Sequence, residues 1–115
     1  MSNNKETGKF GEDLSVKYLE EKGYKILERN RHFSSACEID IIALKRDTLV
    51  FVEVKTRKTN FLGVPLEAIT PAKYKNIKTG LYSYLALNPK YKKYRIDAVS
   101  IVLEPEVQIE HLENI

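Results

Sequence analysis

The sequence predicts a single α/β domain, residues 1–115, in which a mixed β-sheet is flanked by a helix on each side. Two segments, 7–22 and 70–87, carry apolar residues at helical spacing. Residues 38–55 are typical of a β-hairpin, and residues 94–103 alternate like a further strand. With one more strand before the hairpin, the order of elements is α-β-β-β-α-β, which favours a three-layer core. A chain of 115 residues can bury one modest core, so we expect one domain.

The first helix is predicted by its end signals and by the spacing of its apolar residues. Thr7 is a suitable N-cap, the helix is expected to end at Lys22, and Gly23 is a suitable C′ residue. Residues 1–6 are therefore expected to be a flexible polar start. The face predicted to turn inward holds Glu12, Ser15, Val16 and Leu19, with Gly8 and Gly11 beside them to allow a close approach to another element.

The next part of the chain is predicted to form three strands. The first covers residues 24–29 and is followed by a polar loop over residues 30–37. The other two form a hairpin, because the β-branched segment 38–44 and the alternating segment 51–55 are separated only by a polar break at 45–48.

Acidic and basic side chains share one face of this hairpin. With a two-residue turn at 46–47, Asp40 lies opposite Glu53, and Glu38 lies opposite Lys55. Two carboxylates about 5 Å apart repel by roughly 3 kcal/mol at an effective dielectric constant of about 20. A divalent cation, Mg²⁺ or Mn²⁺, would remove that cost, and the neighbouring lysine is suited to orient a water or to stabilise a phosphate. The alternative is a solvated strand end in which Glu38 and Lys55 form a surface ion pair.

A long connection and a second helix follow the hairpin. The connection, residues 56–69, is long enough to suggest a rim over the site, although its role stays open. Thr70 is a suitable N-cap and Pro71 a suitable first helical residue, and Asn88-Pro89 is expected to end the helix.

The last strand is predicted over residues 94–103. Arg95 and Asp97 lie on one face of it and are expected to form a structural ion pair, although Arg95 is also suited to a basic surface. The acidic tail that follows, residues 104–115, is expected to add an edge strand at 107–111.

Basic residues are concentrated in one block of a chain whose net charge is only +3. No acid occurs between Glu67 and Asp97, and five of the seven tyrosines lie in that stretch, a composition that suits a nucleic-acid surface. The alternative is a solvated helix face and loop, or, for Lys73 alone, simple solvation at the helix N-terminus. The candidate nucleic-acid contacts are Arg57, Lys73, Lys75, Lys78, Lys90, Lys92, Lys93 and Arg95.

Composition also excludes several classes of protein. The single cysteine, Cys37, excludes an internal disulfide and a cysteine-based zinc cluster, and we expect it to be a small, partly buried residue. No apolar run approaches the roughly 18 residues of a membrane span. The polar start lacks the apolar region of a signal peptide, so we expect a cytoplasmic protein without membrane contact.

The acidic strand pair resembles a known nuclease signature. Asp40 and Glu53-Val54-Lys55 resemble the PD-(D/E)xK motif of restriction-endonuclease-like nucleases, with Ile39 in place of the nominal proline. From Gly8 to Val102 the chain resembles the YraN-like family of small bacterial proteins, which is similar in turn to archaeal Holliday junction resolvases. Cys37 stands where that family usually has glycine. The wider resemblance rests on Gly11-Glu12, Glu38-Ile39-Asp40, Phe51 to Arg57, Lys73 and Arg95-Ile96-Asp97.

The resemblance implies a restriction-endonuclease-like fold and Mg²⁺- or Mn²⁺-dependent hydrolysis of phosphodiester bonds in DNA. Asp40, Glu53 and the Val54 carbonyl would hold the metal, and Lys55 would position the attacking water. In the resolvases, a glutamate on the first helix reaches the metal site, a role that falls to Glu12; a carboxylate that only complements the helix dipole is the alternative.

The rival function is a non-catalytic nucleic-acid-binding module that keeps the fold. Branched DNA, flaps, single strands and RNA all remain open as ligands, with DNA expected ahead of RNA. The oligomeric state is also open, although the resolvases that the chain resembles are homodimers.

Overall fold

The computed structural model describes residues 4–34, 37–59 and 69–115. It contains two helices and five strands within those ranges: α1 Asn4–Glu21, β1 Lys25–Ser34, β2 Cys37–Lys45, β3 Thr48–Arg57, α2 Pro71–Leu87, β4 Lys93–Val102 and β5 Gln108–Leu112.

The strands form one mixed sheet in the order β1-β2-β3-β4-β5. β1 and β2, β2 and β3, and β4 and β5 pair antiparallel, whereas β3 and β4 pair parallel. Parallel neighbours need a crossover connection, and α2 lies in the connection between β3 and β4. The predicted mixed sheet is therefore confirmed.

The two helices cover opposite faces of the sheet. Leu19 of α1 packs in one buried cluster with Val52, whereas Ile77 and Leu81 of α2 pack in another with Phe51. Adjacent residues of β3 thus enter different cores, as the period of two in a strand requires. This arrangement confirms the predicted three-layer α/β fold.

The hairpin turn lies where the sequence predicts it. Lys45 pairs with Thr48 across a two-residue turn at Arg46-Asp47, and Arg46 has a positive φ of 56°. Positive φ values suit a tight hairpin turn between twisted strands.

α1 begins earlier than predicted. It starts at Asn4, so Thr7 is not its N-cap, and residues 4–6 are helical and not a flexible start. Lys5 and Glu6 are good helix formers, so the helix can extend past a suitable capping residue. The other end matches the prediction: Gly23 has φ 89° and its N–H donates to the Glu20 carbonyl at 3.0 Å.

β1 extends through residues that the sequence assigned to a loop. The polar segment after Arg29 continues as strand to Ser34, because Arg31 and His32 pair with Ile39 and Glu38 of β2. The predicted loop over 30–34 is therefore wrong, while residues 35–36 lie outside the described residues. Two register shifts along β1 accommodate its irregular sequence.

The elements that follow β3 lie close to their predicted positions. Thr70 caps α2, its Oγ1 accepting from the Lys73 N–H at 3.1 Å, and Pro71 is the first helical residue. β4 and β5 lie within one residue of their predicted bounds. Of the predicted connection, Thr56 and Arg57 belong to β3, and residues 60–68 lie outside the described residues. Neither described helix is long and apolar enough to cross a membrane.

Cys37 has the packing role expected of it. Its side chain is buried, and its Sγ lies 3.0 Å from the Asn76 carbonyl oxygen of α2. A side chain at Gly80 would approach that sulfur to about 3.1 Å, so the glycine lets α2 lie close to β2.

Candidate functional site

The candidate site lies where β2 and β3 part. The described ladder between them ends at Ile41 and Val52, one pair short of the predicted Asp40–Glu53 pair. Beyond it, Asp40 Oδ2 accepts a hydrogen bond from the Val54 N–H at 2.8 Å. The expected direct opposition of Asp40 and Glu53 is therefore replaced by a carboxylate that bonds to the β3 backbone.

An interruption in β2 explains this departure. Ile39 and Ile42, three residues apart, both pack in the α2-side core, whereas strict alternation would place them on opposite faces. The strand therefore loses its period of two around Asp40, and a prediction based on perfect alternation misplaces that side chain.

Asp40 lies in an environment that opposes its negative charge. Burial, followed by the charge of Glu53, raises the pKa of Asp40 to about 7, while the Val54 hydrogen bond acts in the opposite direction. The charge of Glu12 raises the pKa further. A cation at this position would stabilise the ionised carboxylate.

Glu53, on β3, is paired with two lysines. Its side chain is only 4% exposed and forms ion pairs with Lys73 and, at 3.8 Å, with Lys55. Burial and the neighbouring ammonium of Lys73 lower the pKa of Lys55. Burial also acts to lower the pKa of Lys73, but its bonds to Glu53 and Lys55 leave that pKa raised. Lys73, assigned from the sequence to nucleic acid, thus contacts a buried carboxylate.

Glu12 is held over the same end of the sheet by contacts with β1. Its side chain is 12% exposed, and its Oε1 accepts from Arg29 Nε at 3.0 Å and from Asn30 Nδ2 at 2.9 Å. Gly11 lets α1 come this close, because a side chain there would collide with Thr56 of β3. The inward orientation predicted for Glu12 is confirmed.

A cleft of about 340 Å³ brings together five of the predicted site residues, Glu12, Glu38, Asp40, Val54 and Lys55, but Glu53 is not among its lining residues. Glu38 lies in the cleft but pairs with His32 at 3.7 Å, and the Glu38–Lys55 ion pair expected in the alternative does not occur among the described contacts. Thr56 Oγ1 is buried and has no hydrogen-bond partner in the described part of the chain. The lining residues are Gly8, Glu12, Asn30, Glu38, Asp40, Val54, Lys55 and Thr56.

The donor set suits an open magnesium site better than a closed metal cage. Within residues 4–34, 37–59 and 69–115, no group of three or more histidine, cysteine, aspartate or glutamate side chains is arranged to hold a metal ion. Mg²⁺ commonly takes one or two protein carboxylates and keeps several waters. Asp40, Glu53 and the Val54 carbonyl are the oxygen groups that would hold such an ion, and the raised pKa of Asp40 shows that its surroundings oppose the negative charge that a cation would stabilise.

The candidate nucleic-acid contacts are spread over the molecule. Lys93 pairs with Thr48 at the far end of β3, about 16 Å along the strand from Glu53, and bonds to Asp47 at 3.1 Å. Arg95 bonds to Asp97 at 2.9 Å, as the predicted structural pair. The others lie in three places: Arg57 at the end of β3, Lys75 and Lys78 on α2, and Lys90 and Lys92 before β4.

Three residues of the site were missed from the sequence: Arg29, Asn30 and Thr56. Arg29 ends the first predicted strand, and Asn30 begins what the sequence suggested was a loop. Asn30 adopts φ 52°, a left-handed conformation that asparagine tolerates better than most residues. An asparagine interrupting a strand-like pattern was the available signal.

Comparison with known proteins identifies the family. Residues 11–101 match the family described as "Uncharacterised protein family UPF0102". The chain is 44% identical over 113 residues to a UPF0102 protein of Syntrophomonas wolfei, covering 96% of this chain and 97% of that protein. It is also 44% identical over 115 residues to a UPF0102 protein of Flavobacterium psychrophilum, covering 99% and 96%. These matches confirm the resemblance to YraN-like proteins, and the chain belongs to the UPF0102 family.

Proposed function

We propose that this protein is a metal-dependent nuclease that hydrolyses phosphodiester bonds in DNA. The observation that carries the proposal is the pair of acidic side chains, Asp40 and Glu53, placed where β2 and β3 part. Asp40 is held with a raised pKa, and Lys55 lies beside Glu53. A carboxylate with a perturbed pKa in a cleft, such as Asp40, is typical of a functional site.

Each side chain has a chemical role in this proposal. Asp40, Glu53 and the Val54 carbonyl would hold Mg²⁺ or Mn²⁺. When bound, the metal supplies Lewis-acid stabilisation of phosphate charge and a more acidic water. Lys55 orients the attacking water and stabilises the negative charge that develops on the phosphate. Lys73 pairs with Glu53 and holds it in place.

Glu12 acts as a general base through water. Its carboxylate lines the same cleft as Asp40 and Lys55, and Arg29 and Asn30 fix its orientation. A positioned carboxylate can accept a proton from a water within hydrogen-bond reach.

A second function, a non-catalytic nucleic-acid-binding module, is favoured by one contact. The ammonium of Lys73 lies on Glu53, where it already neutralises a carboxylate that a metal would need. In this alternative the site is a structural ion-pair network, and the positive surface alone meets nucleic acid.

A cleavage screen separates the two functions. Branched, nicked, linear and single-stranded DNA should be incubated with Mg²⁺ or Mn²⁺, with the same DNAs measured for binding. The nuclease predicts products that disappear in Glu53→Gln and persist in Glu20→Gln, an exposed acid on the same helix as Glu12. Wild-type protein that binds DNA but cleaves no substrate with either metal would support the binding module.

A further inference from the structure

Two exposed tyrosines form a ring pair at the end of α2 distant from Glu53. Tyr82 on α2 is 49% exposed and Tyr94 on β4 is 46% exposed. Their ring centroids lie 6.2 Å apart with an interplanar angle of 89°. Single exposed apolar residues are ordinary, but a paired aromatic surface is typical of a binding site.

A stripe of side chains runs from this pair along α2. Tyr74, Lys78 and Tyr82 are spaced four residues apart, so they lie on one face of the helix over about 12 Å. Tyr74 is half-buried: its ring packs against the α2-side core, its hydroxyl donates to the Ile115 carbonyl at 2.9 Å, and Lys78 Nζ lies 5.6 Å from its ring centroid. At the N-terminal end of α2, Lys73 lies in the first turn of the helix and contacts Glu53 of the candidate site.

The charge around this stripe favours an anionic partner. Lys92 and Lys93 precede Tyr94 and are exposed, and Lys75 on α2 is exposed as well. Lys93 shares its charge with Asp47, which leaves Lys92, Lys75 and Lys78 as the cations available to phosphates.

We propose that the solvent-accessible part of this stripe, Tyr94, Tyr82 and Lys78, binds unpaired nucleotides and leads a single strand toward Glu53. Tyrosine rings stack on any base, and interleaved lysines follow the phosphates, which is how single strands are bound without sequence preference. Bases in a duplex stack on one another, so an exposed ring finds a free base face only on an unpaired strand. This proposal takes the kind of ligand, a nucleic acid, from the proposed function. It does not require that the protein cleaves that ligand.

The test compares two oligonucleotides that carry the same phosphates. A labelled oligothymidine of about eight nucleotides, within the range that one small domain covers, is titrated with protein beside an abasic strand of equal length. We expect wild type to bind oligothymidine more tightly than the abasic strand. Tyr82→Leu and Tyr94→Leu should each weaken binding to oligothymidine about five- to tenfold and leave binding to the abasic strand unchanged.

Matched variants separate stacking from general surface effects. Tyr82→Phe and Tyr94→Phe keep the rings and should bind like wild type. Leu87→Ala removes an exposed apolar side chain, 70% exposed, from the same helix and should also bind like wild type. Thermal melts of all variants check folding, and the phenylalanine variants remain informative if a leucine variant is unstable.

Two outcomes would overturn the proposal: equal affinity of wild type for both strands, or equal losses in the leucine and phenylalanine variants. The outcome is separable from that of the nuclease proposal. Tyrosine-dependent binding without cleavage would support base stacking on the tyrosines and contradict the nuclease proposal. Cleavage and binding that neither tyrosine affects would support the nuclease proposal and contradict base stacking.

Discussion

Asp97 and Asp40 are carboxylates on the same sheet that the protein treats in opposite ways. Asp97 is fully buried and accepts hydrogen bonds from Arg95 Nε at 2.9 Å and the Asn114 N–H at 3.0 Å, with His111 Nε2 at 2.8 Å. The described residues give Asp40 one hydrogen-bond donor, the Val54 N–H.

The pKa values of the two groups shift in opposite directions, because only Asp97 has partners that outweigh the effect of its burial. Burial alone would raise the pKa of Asp97, but His111, Arg95 and Asn114 together lower it. Burial raises the pKa of Asp40, and nearby Glu53 and Glu12 raise it further. The Asp97 network therefore stabilises the fold by joining β5 and the C-terminal residues to β4. Asp40 is left with a charge that the folded protein does not compensate, which is typical of a functional group.

The largest expected contrast is in catalysis. Asp40→Asn should reduce metal-dependent DNA cleavage by about 100-fold or more, because a metal ligand contributes several kcal/mol of charge stabilisation. His111→Gln, which alters the Asp97 network, should leave the cleavage rate within about threefold of wild type. Initial rates on the best substrate of the screen provide the measurement. Similar losses in both variants would mean that the two carboxylates are not functionally different.

The next contrast is in stability. Asp97→Ala leaves Arg95 partly buried without its carboxylate and should lower the free energy of unfolding by about 3–5 kcal/mol, measured by urea denaturation. The control is Glu113→Ala, which removes the second and more exposed acid paired with Arg95, at 2.7 Å. That surface pair should cost no more than about 1 kcal/mol. Equal costs for the two variants would contradict a structural role specific to Asp97.

Local sequence signals explain which parts of this fold could be predicted. Thr70-Pro71 and Gly23 define helix ends through short-range hydrogen bonds and backbone conformation, so their roles follow from residue type. The extension of β1 beyond Arg29 could not be predicted, because its strand conformation comes from pairing with β2, a tertiary contact. Asn30 in particular has a conformation that its neighbours in sequence do not determine.

The site was predictable in composition but not in arrangement. The pattern around Asp40 and Glu53 identified the acids, and the spacing of α1 correctly turned Glu12 inward. The contact of Lys73 with Glu53 could not be foreseen, since it depends on where α2 crosses the sheet. The separation of β2 and β3 at Asp40 could not be predicted either. The prediction assumed that side chains of β2 alternate between the two faces of the sheet, and this alternation breaks near Asp40.

Substitution of Asp40 is expected to increase the stability of the metal-free protein, a smaller change than the loss expected for Asp97→Ala and of opposite sign. Asp40→Asn retains an acceptor for the Val54 N–H and removes a charge that Glu53 and Glu12 oppose. In EDTA it should raise the melting temperature by a few degrees, the result of relieving about 1 kcal/mol. Added Mn²⁺ should stabilise wild type by mass action and have much less effect on the variant.

The control for this effect is Asp47→Asn, an exposed acid in the turn that joins the same two strands. It should respond to Mn²⁺ as wild type does. A variant at Asp40 that is less stable than wild type in EDTA, with no response to metal in either protein, would refute the proposed site.

The smallest effects are the pH dependences, and they should run in opposite directions. The lowered pKa of Asp97 means that its stabilisation is complete above the unfolded value of about 3.9 and is lost as pH falls through the folded value. The raised pKa of Asp40, about 7, means that the folded state holds that proton more tightly than the unfolded state, so stability falls as pH rises from about 4 to 7. Melting temperatures in EDTA should therefore show Asp97→Asn losing its deficit below about pH 4, and Asp40→Asn gaining most above about pH 7. If both variants differed from wild type by a constant amount at every pH, neither difference would come from a carboxylate charge, and the contrast between the two regions would fail.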